Sequence, residues 1–178
     1  HLVKENQWNS VLVFAATQYT TELVAEKLYK AGIFATAFHG KLSQGARTQA
    51  LEELKAKRWD VVVTTDLAAR GIDVAQLPVV VNYDLPRSAT DYVHRIGRTG
   101  RAGASGMAIS FVSAATEPHF QLIEKRQGLS LPREHIAGFE PTEEPLTPAQ
   151  GAGGVKGKRP SKKDKLRAAG LLGKKAED

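Results

Sequence analysis

Val11-Leu12-Val13-Phe14-Ala15 is an unbroken apolar run between polar neighbours, which predicts a short strand buried on both faces. Thr20 or Thr21 can then cap a helix through about Ala31, with Leu23, Val24, Leu28 and Ala31 facing inward and Gly32 as its stop. Ile33 to Phe38 predicts a second strand. Ser43 is placed to cap a helix to about Arg58, whose inner side carries Ala46, Ala50, Leu51 and Leu54. Val61 to Thr64 follows as a third strand, Val79 to Tyr83 as a fourth between Pro78 and Pro86, and Gly106 to Val112 as a fifth. A last helix runs from about Ala115 to Gln127, with Phe120, Ile123 and Leu122 facing in, and Gly128 ends it.

Strand and helix patterns thus alternate with short connections, as in a mostly parallel sheet covered by helices on both faces. The fold class expected is α/β, a RecA-like three-layer sandwich, over residues 11–129. Residues 1–10, with Asn6, Gln7, Trp8, Asn9 and Ser10, read as an irregular lead-in or interdomain linker. Pro132, Pro141, Pro145 and Pro148 interrupt regular structure, so residues 130–150 are expected to be an extended strap. Residues 151–178 hold few large apolar side chains and cannot offset chain entropy by burial, so a disordered tail is expected there.

Charge sharpens this division. The 178 residues hold 25 Lys and Arg against 19 Asp and Glu. Nine of the former and three of the latter fall within 151–178, which leaves sixteen of each in residues 1–150. The whole excess of +6 is therefore in the tail. A neutral body with a basic appendage suggests a shaped site in the domain and polyanion attraction outside it. Cysteine is absent, which excludes disulfides and thiolate chemistry and suits a reducing cytoplasm. No run approaches the ~18 apolar residues of a membrane span, the start has no signal-peptide pattern, and the first residue is not Met, as expected of a piece of a longer protein.

Candidate chemistry gathers at the predicted strand ends, where open α/β sheets bind ligands. Thr17 follows the first strand. His39-Gly40-Lys41-Leu42-Ser43-Gln44-Gly45-Ala46-Arg47 follows the second and opens a helix, whose free N–H groups and dipole suit an anion. Thr64-Thr65-Asp66-Leu67-Ala68-Ala69-Arg70-Gly71-Ile72-Asp73 follows the third. Densest of all is His94-Arg95-Ile96-Gly97-Arg98-Thr99-Gly100-Arg101. Arg95, Arg98 and Arg101 recur every three residues and would project to one side of a helical turn, where guanidinium forks match phosphate oxygens.

The last stretch resembles the final motif of DEAD-box RNA helicases, and Ala69 to Asp73 resembles the motif that precedes it. Residues 10–127 as a whole resemble the second RecA-like domain of that family, with Val11 to Thr17 and His39 to Arg47 matching its two earlier motifs. His94 favours the RNA-directed group over DNA-directed relatives, where Gln is usual. Ser43-Gln44-Gly45-Ala46-Arg47, Leu77-Pro78 and Val81-Asn82-Tyr83 look most like the bacterial RhlE branch, although Lys41 departs from the family's frequent Asp.

The resemblance implies roles. Arg98 and Arg101 would be arginine fingers directed at a γ-phosphate, a device worth roughly 10³–10⁵ in rate, and His94 would couple the site to the other domain's carboxylates. Gly71 and Asp73 would contact the nucleotide, Asp73 through the ribose. Thr17, Gly40, Gln44, Arg47 and Thr65 would hold the RNA backbone, and Arg95 and Arg70 are assigned to structural or interdomain ion pairs. No Gly-x-x-x-x-Gly-Lys-Ser/Thr loop and no Asp-Glu-Ala-Asp occurs. ATP with Mg²⁺ would accordingly be held mainly by a first RecA-like domain absent from this chain, without which no hydrolysis is expected. Ser88-Ala89-Thr90 matches a helicase tripeptide of that first domain but reads here as a helix cap.

The expectation is the C-terminal half of an ATP-dependent RNA helicase, a cytoplasmic ATP hydrolase that unwinds RNA duplexes, with RNA, its own N-terminal RecA-like domain and ribosomal or RNA-decay assemblies as partners and no membrane. Two alternatives stand beside it: a DNA-directed helicase or translocase, and a non-catalytic RNA-binding module. The basic run Lys156 to Lys163 reads as an electrostatic tether for RNA or as a solubilising tail.

Overall fold

The computed structural model describes residues 1–70, 77–100, 105–140 and 142. Its elements are α1 (Leu2–Glu5), β1 (Val11–Phe14), α2 (Gln18–Lys30), β2 (Ala35–Phe38), α3 (Gln44–Lys55), β3 (Val61–Thr64), α4 (Asp66–Ala69), β4 (Val79–Asn82), α5 (Ala89–Ile96), β5 (Met107–Ser110) and α6 (Glu117–Gln127). The strands form one sheet in the order β2-β3-β1-β4-β5, with every pairing parallel. The α/β sandwich predicted by the alternation is present.

The central strands are apolar throughout because both faces are covered. Leu12, Phe14, Val62 and Val80 pack with Phe38, Leu54, Ala68 and Ala69 on the α3 and α4 side. Val11, Val13, Val61, Val63, Val79 and Val81 pack with Val24, Ala25 and Ile33 on the α2 side. A third cluster joins Tyr92 of α5 to Phe120 and Ile123 of α6, with Leu131 against it.

Several expectations shift on the backbone. α2 begins earlier than expected because Thr17, rather than Thr20 or Thr21, is its cap: the Thr20 N–H donates to Thr17 Oγ1 at 3.0 Å. Ala31 lies past the end of α2 and is exposed, whereas Thr21 and Ala25 are buried. Ser43 does cap α3, accepting from Ala46 N at 3.2 Å, but Ala46 faces solvent and Arg47 is the half-buried neighbour. α3 ends at Lys55 rather than near Arg58, and α6 begins at Glu117. Leu122 is 45% exposed, while Glu124 takes the inward position on α6. Gly128 ends α6 in the left-handed region, at φ 63°, as its position after the last turn suggests.

Residues near the start, expected to be irregular, open with the single turn of α1, and Val3 and Trp8 pack on the α2-side core. Beyond α6 the described chain is irregular to Glu140. The expectations for Pro141, Pro145, Pro148 and residues 151–178 fall outside the described residues.

Candidate nucleotide and RNA interface

The connection leaving β1 travels to β2 on one side of the sheet, and that leaving β4 travels to β5 on the other. The carboxyl ends of β1 and β4 therefore flank the reversal of topology, the place where ligands gather in such sheets. A crevice there is lined by Phe14, Asp66, Ala69, Arg70, Asp91, His94, Arg95 and Arg98.

α5 delivers the basic residues. Ser88 caps it, accepting from Asp91 N at 3.1 Å and donating to Asp91 Oδ2 at 2.7 Å. Ala89, Tyr92 and Arg95 recur every three residues on its buried side. The one-sided projection expected of the arginines is therefore corrected. Arg95 points into the protein, His94 is exposed, and Arg98, just past the end of α5, is half-buried on the crevice wall. Arg101 lies outside the described residues, as do Gly71 and Asp73.

Arg95 is buried to 2% exposure and satisfies its guanidinium from several elements. Nε and Nη2 donate to the two carboxylate oxygens of Asp66 at 2.6 and 2.8 Å, a bidentate pair. Nη1 donates to Asn82 Oδ1 at 3.0 Å and to the Asp84 carbonyl at 2.6 Å. The guanidinium carbon lies 4.9 Å from the Phe14 ring centroid, a cation–π distance. Asn82 in turn donates to Ser110 Oγ at 3.0 Å. Arg95 thus ties the carboxyl ends of β1 and β4 to the start of α4, and Asn82 extends the network to β5. Asp66, Asn82 and Asp84 escape sequence reasoning as its partners because they sit 29, 13 and 11 residues away.

The residues implied for RNA lie along the same rim, over β2, β3 and β1. Thr17 caps α2 and is exposed, its Oγ1 2.8 Å from Thr20 Oγ1. A Cβ added to Gly40 would lie 3.7 Å from Gln18 Nε2, so the start of α2 adjoins the turn after β2. Gln44 is the exposed first residue of α3. Arg47 lays its guanidinium carbon 5.5 Å from the Phe38 centroid, and its buried Nε meets no acceptor among the described residues. Thr65, half-buried, caps the short α4 through Ala68 N at 3.4 Å. Ala15 N donates to the Thr64 carbonyl at 2.8 Å, which holds the ends of β1 and β3 side by side. Beneath this rim His39 is buried and its Nε2 lies 3.0 Å from Glu22 Oε1.

A model of the helicase conserved C-terminal domain matches residues 1–103. Among solved structures, the chain resembles the Escherichia coli DEAD-box protein SrmB, crystallised bound to the regulator of ribonuclease activity A. The match has a TM-score of 0.77 and 34% identity, over 83% of this chain and 87% of that one. The chain belongs to the DEAD-box helicase C-terminal domain family. The ATP-dependent rRNA helicase RRP3 of Phaeosphaeria nodorum is 43% identical over 140 residues, which are 79% of this chain and 26% of that protein. Saccharomyces cerevisiae Dbp5, solved bound to RNA and ADP BeF3, matches with a TM-score of 0.66 and 36% identity over 71% of this chain and 34% of that one. The chain thus spans about a quarter of the curated relative and a third of the Dbp5 chain, and its fold is the RecA-like one of these domains.

The crevice of this DEAD-box domain is shallow, about 70 Å³, against roughly 300–1,000 Å³ for pockets that enclose a small molecule. Its lining includes three cations or potential cations, Arg70, His94 and Arg98.

Proposed function

We propose that this chain is the C-terminal half of an ATP-dependent RNA helicase that couples ATP hydrolysis to the unwinding of RNA duplexes. The observation that carries the reading is the seating of α5. Buried Arg95 fixes the helix, which brings His94 and Arg98 to an open crevice at the topological reversal. Arg98 and Arg101 act as fingers on the transferred phosphoryl group, stabilising charge as it spreads over the equatorial oxygens. Gly71 and Asp73 contact the nucleotide, and His94 couples the two halves.

The donor set fits a nucleotide held from elsewhere. The crevice offers cations to an anion, while both of its carboxylates are engaged, Asp66 by Arg95 and Asp91 by Ser88. Ligands for Mg²⁺, which would offset phosphate charge, therefore belong to an N-terminal RecA-like domain. That domain also closes the crevice. RNA lies along Thr17, Gly40, Gln44, Arg47 and Thr65, held by its backbone and so with little sequence preference.

The motif variants at residues 43–47 and 77–83 support a RhlE-like assignment and with it a bacterial cytoplasm, with ribosomal or RNA-decay assemblies as partners. No helix among the described residues is long and apolar enough to cross a membrane. We assign residues 1–10 to a lead-in or interdomain linker, 11–129 to the helicase domain, 130–150 to a strap and 151–178 to a basic tail whose run Lys156 to Lys163 tethers RNA.

The test is steady-state ATPase activity with and without single-stranded RNA. It compares this chain, the longer protein carrying both RecA-like halves, and that protein with Arg98→Ala. Silence from the chain alone, RNA-stimulated turnover from the longer protein and a loss of roughly 10³-fold or more in the variant are expected. Full activity in Arg98→Ala removes the finger assignment. Stimulation by DNA in place of RNA overturns the substrate class.

A further inference from the structure

Asp84 belongs to none of the motifs that carry the functional reading, yet it touches both sides of the interface. Its carboxylate Oδ2 accepts the backbone N–H of Ala16 at 2.7 Å, across 68 residues of sequence. Its carbonyl accepts from Arg95 Nη1 at 2.6 Å, and its own N–H donates to the Phe14 carbonyl at 3.2 Å. Ala16 immediately precedes Thr17, the cap of α2, and Ala16 and Thr17 are both exposed. The first turn of α2 contains no acidic residue. The turn carrying Thr17 is therefore held from outside, by a carboxylate acceptor two residues past the end of β4.

We propose that Asp84 is a positioning residue for RNA binding: it fixes the Ala16-Thr17 turn against the Arg95-anchored end of the sheet, so that the RNA-facing start of α2 keeps one geometry. The proposal rests on the RNA-helicase reading given above. A charge-assisted hydrogen bond to a backbone amide is short and strong, and its loss frees a turn that has few other long-range ties. Neighbouring tethers are local. The Thr20 N–H donates to Thr17 Oγ1 within one helical turn, and the links to the sheet described just before this turn are backbone bonds, Ala15 N to the Thr64 carbonyl and the Phe14 carbonyl from Tyr83 N and Asp84 N. The backbone bond from Arg95 is independent of the Asp84 side chain, so the two functions of this residue separate by mutation.

The experiment uses the longer protein with both RecA-like halves and measures ATPase rate against the concentration of a single-stranded RNA oligonucleotide. Asp84→Ala removes the acceptor for Ala16 N and keeps the carbonyl bound to Arg95. It is expected to raise the RNA concentration for half-maximal stimulation about tenfold, the scale of one such bond, while the rate at saturating RNA falls by less than about threefold. Asp84→Asn retains an oxygen acceptor and is expected to restore half-saturation to within about threefold of wild type. It also serves as the control should the alanine variant fold poorly. Unchanged half-saturation in Asp84→Ala, equal weakening in both variants, or a loss confined to the saturated rate would each overturn the proposal. A wild-type protein that RNA does not stimulate would overturn the functional reading and this inference with it, whereas a stimulated wild type beside an unaffected Asp84→Ala overturns the inference alone.

Discussion

Arg95 and Arg133 each lay a guanidinium over a phenyl ring, Phe14 at 4.9 Å and Phe120 at 4.7 Å, and each pairs with carboxylates. Their surroundings are inverted. At the sheet ends the arginine is the buried partner, with 3% of its side chain exposed against 40% for Asp66. On α6 the buried partner is the acid: Glu124 is 12% exposed and Arg133 is 32%. The difference matters because the two buried groups have different escapes. A carboxylate stripped of its partner can take up a proton and become neutral, whereas a guanidinium stays charged at any accessible pH. The site-bearing end of the molecule therefore rests on a charge that cannot be switched off, and the segment after α6 rests on one that can.

Removing the acid from the first pair gives the largest effect. Asp66→Ala leaves a buried guanidinium whose remaining hydrogen-bond acceptors among the described residues are Asn82 and the Asp84 carbonyl, both neutral, and a loss of about 3–5 kcal/mol is expected in chemical denaturation. A loss under 1 kcal/mol would mean that Arg95 reaches water and is not the anchor of α5.

The double variant Asp66→Leu with Arg95→Met sharpens the same point. It removes both charges and keeps apolar volume over Phe14, so it is expected to be more stable than Asp66→Ala by about 1–3 kcal/mol. Its interface function should still be lost, because Met makes no bond to Asn82 or Asp84. Equal stabilities would show that the cost of Asp66→Ala lies in something other than an unpaired charge.

How far these clusters could be read beforehand follows the reach of the interactions. The strands were legible because Val11 to Phe14, Val61 to Thr64 and Val79 to Asn82 are covered on both faces, and double burial leaves a continuous apolar run. Caps at Ser43 and Ser88 were legible because a cap acts over three residues. Thr17, Thr20 and Thr21 are indistinguishable as caps in the sequence, three hydroxyls within five residues, and only the exit of β1 selects Thr17 among them. Arg95 could be assigned to an ion pair, but its partner Asp66 opens a different helix, 29 residues away. Glu124 was hidden for a related reason. An acid on an inward helix position reads as a mistake in the apolar pattern until Leu131 N and Arg133 arrive to satisfy it.

The second cluster yields a smaller loss at neutral pH. Arg133→Ala removes the bonds to Glu117 and Glu124 and the contact with Phe120. A destabilisation of about 1–2 kcal/mol is expected, since the pair is partly solvated and the stranded acid can neutralise. A cost equal to that of Asp66→Ala would erase the distinction between the two clusters.

Acid separates them by the smallest and most diagnostic margin. Hydrogen bonds from Arg133, with help from Leu131 N, hold the Glu124 carboxyl at about 2, below its ordinary value of 4.5, and Arg133 also lowers Glu117. A depressed carboxyl stabilises the folded state fully above its unfolded value, and that contribution is lost as pH falls through the folded one. The stability gap between wild type and Arg133→Ala should therefore stay constant above about pH 5 and narrow as the pH drops toward 2. Arg133 itself remains charged across this window, being raised by the same two acids. Denaturation curves taken at intervals through it measure the gap directly. A gap that persists undiminished at the acid end would mean that Arg133 stabilises α6 through its packing on Phe120 rather than through Glu124, and the charge that can be switched off would not be what secures this segment.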